Sequence, residues 1–264
     1  MKIGIIGTGN MGGALMDAFC LDPNNTLRAY NHGREKLEAV CGRTGAIPAA
    51  SAADAIDGCD VILLAVKPIV MPSVLEELAP VLRPEQLVVS IAVGLTIESY
   101  SKILCPDKKI VRAMPNTPAA VQAGMTAFAF GPHVTEEEQQ TVLDLFSLAG
   151  GTAVLPERLM NAVSALTGSG PAYVYMFIEA MADAGCYAGI PRAQAYQLAA
   201  QAVLGSAKMV LETGKHPGVL KDEVCSPGGT TIRAVAELER CGMRSAVIEA
   251  IKACVDAAGT PQTK

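Results

Sequence analysis

The chain contains no tryptophan, and aromatic residues make up only 4% of it. A platform for stacking nucleobases needs several aromatic faces, so the composition argues against one. Basic residues are not in excess either. The 21 Lys and Arg stand against 26 Asp and Glu, giving a formal net charge of −5 and a pI near 5.3. Nucleic-acid binders commonly carry a basic face, which this balance does not supply. No apolar run reaches the roughly 18 residues of a membrane span. The chain opens directly into the strand-like run Lys2-Ile3-Gly4-Ile5-Ile6 rather than a basic segment followed by an apolar one, so no secretory signal is expected. Eight cysteines are scattered along the chain without a Cys-x-x-Cys pair, which supports neither a zinc site nor a disulfide framework. The expectation is a cytoplasmic protein with reduced, mostly buried thiols, and with no metal, nucleic acid or membrane among its partners.

What is present is apolar and ordered. Half of the 264 residues are hydrophobic and 18% are charged, the range of globular chains long enough for one large or two ordinary domains. Short β-rich runs alternate with helical patterns. Strands are expected at Ile3–Ile6, Leu27–Tyr30, Val61–Val66, Leu87–Ile91 and Ile110–Ala113, with helices between them, including a single one over Ile69–Leu82. A further strand at Thr126–Phe130, a helix at Glu136–Leu148 and a strand at Thr152–Leu155 follow. Strands apolar throughout, such as Val61-Ile62-Leu63-Leu64, fit a parallel sheet covered on both faces. The fold class is α/β: a Rossmann-like doubly wound domain over residues 1–155, then an all-α domain over 156–264 for dimerisation and substrate. In that second part, helices are expected at Arg158–Thr167, Pro171–Ala188, Pro191–Thr213, Thr230–Cys241 and Arg244–Ala257. The segment Ala172–Ala182 is apolar almost all round, and such a helix is normally buried on all sides. Fewer than about 110 residues make a thin core for it, so the helical domain is expected to pack against a second copy of itself.

Two anion cradles stand out. Gly7, Gly9 and Gly12 form G-x-G-x-x-G directly after a strand and at a helix start, a pattern that admits a dinucleotide pyrophosphate to the backbone. Ile6, Gly7, Thr8, Gly9, Asn10, Met11 and Gly12 are the residues expected around it. The second strand ends in Tyr30-Asn31-His32-Gly33-Arg34, with no carboxylate to repel a 2′-phosphate. Asn31 and Arg34 offer donors instead, so NADPH is favoured, with NADH possible. The alternative for Arg34 is a solvated charge. Ala65, Val66, Lys67 and Pro68, and then Ala92 and Gly94, end later strands, where ligands of such folds sit.

The second cradle is Ser226-Pro227-Gly228-Gly229-Thr230-Thr231, running into an amphipathic helix. Helix-start N–H groups lack intrahelical partners and lie at the positive end of the dipole, which suits a small carboxylate. Gly229, Thr230 and Thr231 are the candidate ligands, the alternative being simple capping by Thr230. Asn116, in Met114-Pro115-Asn116-Thr117-Pro118, is a further candidate on a loop rigidified by two prolines. A dinucleotide cradle and an acid cradle together point to a reductase of a small carboxylic acid.

These motifs resemble those of the pyrroline-5-carboxylate reductase family. The most specific is Ser226-Pro227-Gly228-Gly229-Thr230-Thr231-Ile232. Gly168-Ser169-Gly170-Pro171-Ala172-Tyr173, Ala65–Pro68, Met114–Pro118 and His216-Pro217-Gly218 are similar as well. The resemblance spans essentially the whole chain. It implies NAD(P)H-dependent reduction of a cyclic imine carboxylate to L-proline, and a homodimer or higher oligomer built through the C-terminal helices. It also implies a carboxylate held by Gly229 to Thr231 and a ring nitrogen at the catalytic Thr231. Glu157 matches a position close to the product, and Glu223 one facing the cofactor. Two other readings stay open. A β-hydroxyacid dehydrogenase would use a lysine base such as Lys208, and a non-catalytic NADPH-binding regulator would need only the first cradle.

Overall fold

The computed structural model describes residues 1–259. The chain divides into two compact units, one of Met1–Ser169 with the chain end from Val255, the other Gly170–Cys254. Residues 156–169 pack with the first unit, where Met160 and Val163 lie against Met114, Ala127 and Ala129.

The first unit is a sheet wrapped by helices. Its elements are β1 (Lys2–Ile6), α1 (Asn10–Phe19), β2 (Thr26–Tyr30), α2 (Arg34–Thr44), β3 (Ile47–Pro48), α3 (Ala52–Ile56), β4 (Val61–Leu64), α4 (Met71–Leu78), β5 (Leu87–Ser90), α5 (Ile97–Ile103), β6 (Ile110–Met114), β7 (Gly124–Phe130), α6 (Glu136–Ser147), β8 (Gly150–Val154) and α7 (Met160–Val163). Among the described residues the sheet order is β3-β2-β1-β4-β5-β6-β7-β8. Ladders from β3 to β6 are parallel, as their continuous apolar runs require. The β6–β7 pair is antiparallel and β7–β8 parallel again. The reversal follows from a connection too short for a crossover helix: a 3-10 turn, Thr117–Val121, and then Gln122 in the left-handed region at φ 54°.

Each sheet face carries its own core. On one, Leu15 and Phe19 of α1 meet Phe128 and Phe146, whose rings pack edge to face with centroids 5.1 Å apart. On the other, Ile56, Leu75 and Tyr100 from α3, α4 and α5 cover Ile62, Val88 and Ile110. The helix expected over Ile69–Leu82 is shorter and broken. A 3-10 turn, Pro68–Val70, precedes α4, and α4 ends at Leu78, just ahead of Pro80. Proline lacks the N–H that would continue the ladder and restricts the residue before it. The helix expected over Arg158–Thr167 is a composite: a 3-10 turn at Glu157–Leu159, then α7, then a π turn at Ser164–Gly168 closed by Ser169 N–H donating to the Ser164 carbonyl at 2.9 Å.

Among the described residues the second unit is helical: α8 (Gly170–Tyr187), α9 (Arg192–Thr213), α10 (Pro217–Val224), α11 (Thr230–Arg240) and α12 (Met243–Gly259), of which the part up to Cys254 belongs to this unit. Gly189, at φ 94°, and Pro191 separate α8 from α9, as their residue types require. Ala182 of α8 and Ala195 and Ala199 of α9 are buried, and small side chains let the two backbones approach. The expectation of a helix buried all round does not hold within one chain, since Val174, Tyr175, Met176 and Phe177 are exposed. The thiols are not mostly buried either: of the eight, Cys41 and Cys59 are buried, whereas Cys105 and Cys241 are exposed. Among the described residues no helix is long and apolar enough to cross a membrane.

Candidate functional site

The glycine-rich turn at the end of β1 gives each glycine a different reason. Gly7 lies at φ 102°, and a Cβ there would stand 2.6 Å from the Ala65 carbonyl oxygen. A Cβ on Gly12 would meet the Gly7 carbonyl oxygen at 2.1 Å and the Ala65 Cβ at 3.1 Å. Both glycines are therefore demanded by the turn and by the packing of α1 against β1 and β4. Gly9 is different. Its φ of −69° is open to any residue, and among the described residues nothing beyond its chain neighbours lies within 4 Å of a Cβ placed there. No intramolecular contact calls for glycine at that position; the bare backbone leaves room for a ligand. Gly9 is also the N-cap of α1, which has no side-chain cap and no acidic residue in its first turn. The N–H groups of this helix start, with the positive end of its dipole, face that opening. This cradle fits a dinucleotide pyrophosphate. Ile6 is buried beneath it, Thr8 is buried with an unpartnered Oγ1, and Asn10 and Met11 begin the helix.

The other residues expected at this site fall at the carboxyl edge of the parallel strands. Asn31, just beyond β2, accepts the Thr8 N–H at 3.2 Å and donates to the Gly33 carbonyl at 3.0 Å. Its amide thus stitches the glycine turn to the loop entering α2. Arg34 is 88% exposed and pairs with Glu38 one turn on, at 2.8 Å. Ala65 and Val66 are half-buried beyond β4, and Lys67 and Pro68 are exposed at the start of the 3-10 turn. Beyond β5, Ala92 is buried and Gly94 exposed, with φ 86°.

The substrate candidates separate into those with free bonding groups and those already engaged. Asn116 uses both ends of its amide. Nδ2 donates to the Thr167 carbonyl at 3.0 Å, and Oδ1 accepts the Met125 N–H at 2.8 Å. The α-helical donor to that carbonyl would be the N–H of residue 171, which Pro171 lacks, and Asn116 ties the carbonyl to the exit of β6. Asn116 is thus 9% exposed and structural in its visible bonds. Glu157 is also engaged: its Oε1 accepts from Arg112 Nη1 at 2.9 Å and from the Ile97 N–H at 2.7 Å. Sequence reasoning passed over Arg112. Its signal was a lone cation inside the apolar strand Ile110-Val111-Arg112-Ala113-Met114.

In the second unit, Ser226 to Gly229 form a tight turn. The second residue is Pro227, the third is Gly228 at φ 70°, and the Gly229 N–H donates to the Ser226 carbonyl at 3.0 Å. These are the requirements of a type II turn. Gly229 therefore does not bring a free N–H to a ligand, contrary to the expectation; its bond closes the turn. Gly229 is the N-cap of α11, and no side chain caps that helix, so Thr230 does not act as a cap. The remaining first-turn donors are the N–H groups of Thr230, Thr231 and Ile232, of which Thr230 and Thr231 are the candidate ligands. Thr231 is half-buried and Thr230 exposed. Glu223 pairs with Lys215 at 2.6 Å. Lys208 is 67% exposed and pairs with Glu212, as a solvated helix lysine does, which removes support from the hydroxyacid reading.

Residues 157–260 match the family model described as pyrroline-5-carboxylate reductase dimerisation, and residues 2–94 match that described as NADP oxidoreductase, coenzyme F420-dependent. The chain is similar to pyrroline-5-carboxylate reductase of Escherichia coli K12, with 49% identity over 258 residues, covering 97% of this chain and 96% of the relative. It is similar to the solved structure of a pyrroline-5-carboxylate reductase from Coxiella burnetii, with TM-score 0.90 and 34% identity over 97% of this chain and 96% of that one. A Plasmodium falciparum pyrroline carboxylate reductase solved with NADP bound gives TM-score 0.86 and 31% identity, covering 98% of this chain and 97% of that one.

Proposed function

The chain belongs to the pyrroline-5-carboxylate reductase family, and from this premise we propose that Gly7 to Gly12 hold the cofactor while the start of α11 holds the substrate acid. The activity is NAD(P)H-dependent reduction of 1-pyrroline-5-carboxylate to L-proline, the last step of proline biosynthesis. The observation that carries the cofactor assignment is the empty space beside Gly9, flanked by two glycines that packing already explains.

Reduction of a C=N bond needs a hydride at carbon and a proton at nitrogen. Bound NAD(P)H supplies the hydride. The first-turn N–H groups of Thr230 and Thr231 take the substrate carboxylate, helped by the positive end of the α11 dipole. The Thr231 hydroxyl accepts the N–H of the protonated ring and fixes its orientation. Protonation makes the ring carbon a better hydride acceptor, and the nitrogen retains that proton as the amine forms. Glu157 favours the cationic ring by its charge. No side chain need shuttle a proton in the hydride step, so the protein's contribution is positioning and charge.

NADPH is the proposed partner in preference to NADH. Asn31 stands where a carboxylate would reject a 2′-phosphate, and the Arg34 guanidinium is open to solvent for such a group. The proposed assembly is a homodimer or a larger oligomer through the C-terminal helices. The exposed Val174, Tyr175, Met176 and Phe177 on α8 support it. A monomer in sedimentation at micromolar concentration would remove that assembly. A cytoplasmic location is proposed with it and is checked by cell fractionation. The deciding assay for the site is NADPH oxidation at 340 nm with pyrroline-5-carboxylate, with NADH run in parallel. Proline formation with a clear NADPH preference supports the reading, and equal use of both cofactors removes the Asn31 and Arg34 argument.

A further inference from the structure

Arg112 is the middle residue of β6, a strand paired on both edges, yet it is a cation with only 6% of its side chain exposed. Strand alternation puts it on the same face as Ile110 and Met114, and those two belong to separate apolar clusters. The guanidinium thus interrupts what would otherwise be a continuous apolar face. Withdrawing a cation from water is unfavourable unless it is paired, and an apolar side chain often does the purely structural job as well. The pairing is with Glu157. Its Oε1 receives both Arg112 Nη1 and the N–H of Ile97, the first residue of α5. One oxygen of the carboxylate is therefore held by a guanidinium and a helix start. The other, Oε2, takes no bond from any described residue, and the side chain keeps 32% exposure.

We infer that Arg112 is a positioning residue for the reduction: with the α5 N-terminus it anchors Oε1 of Glu157, so that the free Oε2 is presented, fixed in place, to the cationic ring nitrogen of the substrate. The inference rests on the reading of Glu157 as a substrate contact. A carboxylate restrained at one oxygen loses little freedom when the other engages the ligand.

The test compares Arg112→Met, Arg112→Lys, Glu157→Gln and the double variant Arg112→Met/Glu157→Gln by kcat and KM for pyrroline-5-carboxylate. NADPH fluorescence titration serves as the check that the cofactor unit is intact. Glu157→Gln and Arg112→Met are each expected to raise the KM for the imine by about 10–100-fold, the range for a hydrogen bond to a charged group, with NADPH affinity near that of the wild type. The double variant is expected to be no worse than either single one, and Arg112→Lys to recover part of the loss. Additive effects overturn the inference, as does an Arg112→Met variant that binds NADPH and keeps the wild-type KM. If Arg112→Met does not fold, Arg112→Lys replaces it in the cycle, with non-additivity supporting and additivity refuting. A silent Glu157→Gln in an active enzyme removes Glu157 and Arg112 together. A wild-type chain inactive on the imine removes the reaction itself.

Discussion

Replacing Gly9 by alanine should separate folding from cofactor binding. The backbone there has φ −69° and ψ −171°, and apart from its own chain neighbours a new methyl would meet no atom of the described residues within 4 Å. A Gly→Ala change at a permitted conformation gains about 0.4–1 kcal/mol through the unfolded chain. Alanine is a poorer N-cap than glycine by a similar amount, about 0.5–1 kcal/mol, so the unliganded protein should change little. Binding should change a great deal, because the methyl occupies the space through which a pyrophosphate reaches the α1 N–H groups. Losing one hydrogen bond to a charged group weakens binding by about 10–100-fold. At an NADPH concentration of about 100 times the wild-type Kd, the wild type gains about 2.7 kcal/mol of stability, and a variant binding 100-fold more weakly gains about 0.4 kcal/mol. Urea denaturation with and without NADPH reads both quantities on one sample. Gly12→Ala is the counterpart: with a Cβ 2.1 Å from the Gly7 carbonyl oxygen, it should lose about 1–3 kcal/mol without any ligand present. A Gly9→Ala protein stabilised by NADPH as strongly as the wild type would refute the assignment of the opening to the cofactor.

Three further outcomes are expected. Thr231→Ala should lower kcat by about 10–100-fold through loss of the bond to the ring nitrogen, with NADPH titration near normal; unchanged turnover would take Thr231 out of the mechanism. Arg34→Ala should weaken NADPH by about tenfold and leave NADH unaffected, so equal loss with both cofactors would count against a 2′-phosphate contact. Lys108, buried at 4% exposure, has its pKa lowered from the ordinary 10.5, chiefly by burial. Between that lowered value and 10.5 the unfolded chain binds more protons than the folded one, so stability attributable to this group rises with pH across that window. Chemical denaturation of wild type and Lys108→Met as pH approaches 10.5 should show the wild type gaining relative to the variant, and a pH-independent difference would contradict it.

Much of this architecture is legible in the sequence because its signals are local. Val61-Ile62-Leu63-Leu64 reads as a strand covered on both faces, and Gly7, Gly9 and Gly12, placed directly after a strand and at a helix start, read as the tight strand-to-helix turn that is found. The two-residue β3 is too short to show a period, and the 8-residue α10 is marked in the sequence only by Pro217 at its first turn, where His216 Nδ1 accepts the Gly218 N–H. The reversal at β7 depends on the length of a turn rather than on composition. The site divides in the same way. That Gly229 closes a turn with Ser226 is a matter of backbone direction, which residue types leave open. That Arg112 meets Glu157, 45 residues away, is a tertiary pairing with no local mark. The amides of Asn116 and Asn31 offer the donors and acceptors a ligand contact needs, and the fold directs those groups largely to its own loops.

The reversed direction of β7 has a practical use. Because β7 runs against β6, the loop leaving β7 returns to the amino edge of the parallel strands, beside the loop that leads into β6. His133 and Asp107 meet there at 3.8 Å, and the exposed thiol of Cys105 lies in the same region. The glycine turn, Lys67 and Gly94 all lie at the opposite edge of the same sheet. Cys105 is thus an attachment point for a dye or a surface, once the other exposed thiol is removed by Cys241→Ser. An enzyme tethered through it would leave the opening beside Gly9 facing away from the support.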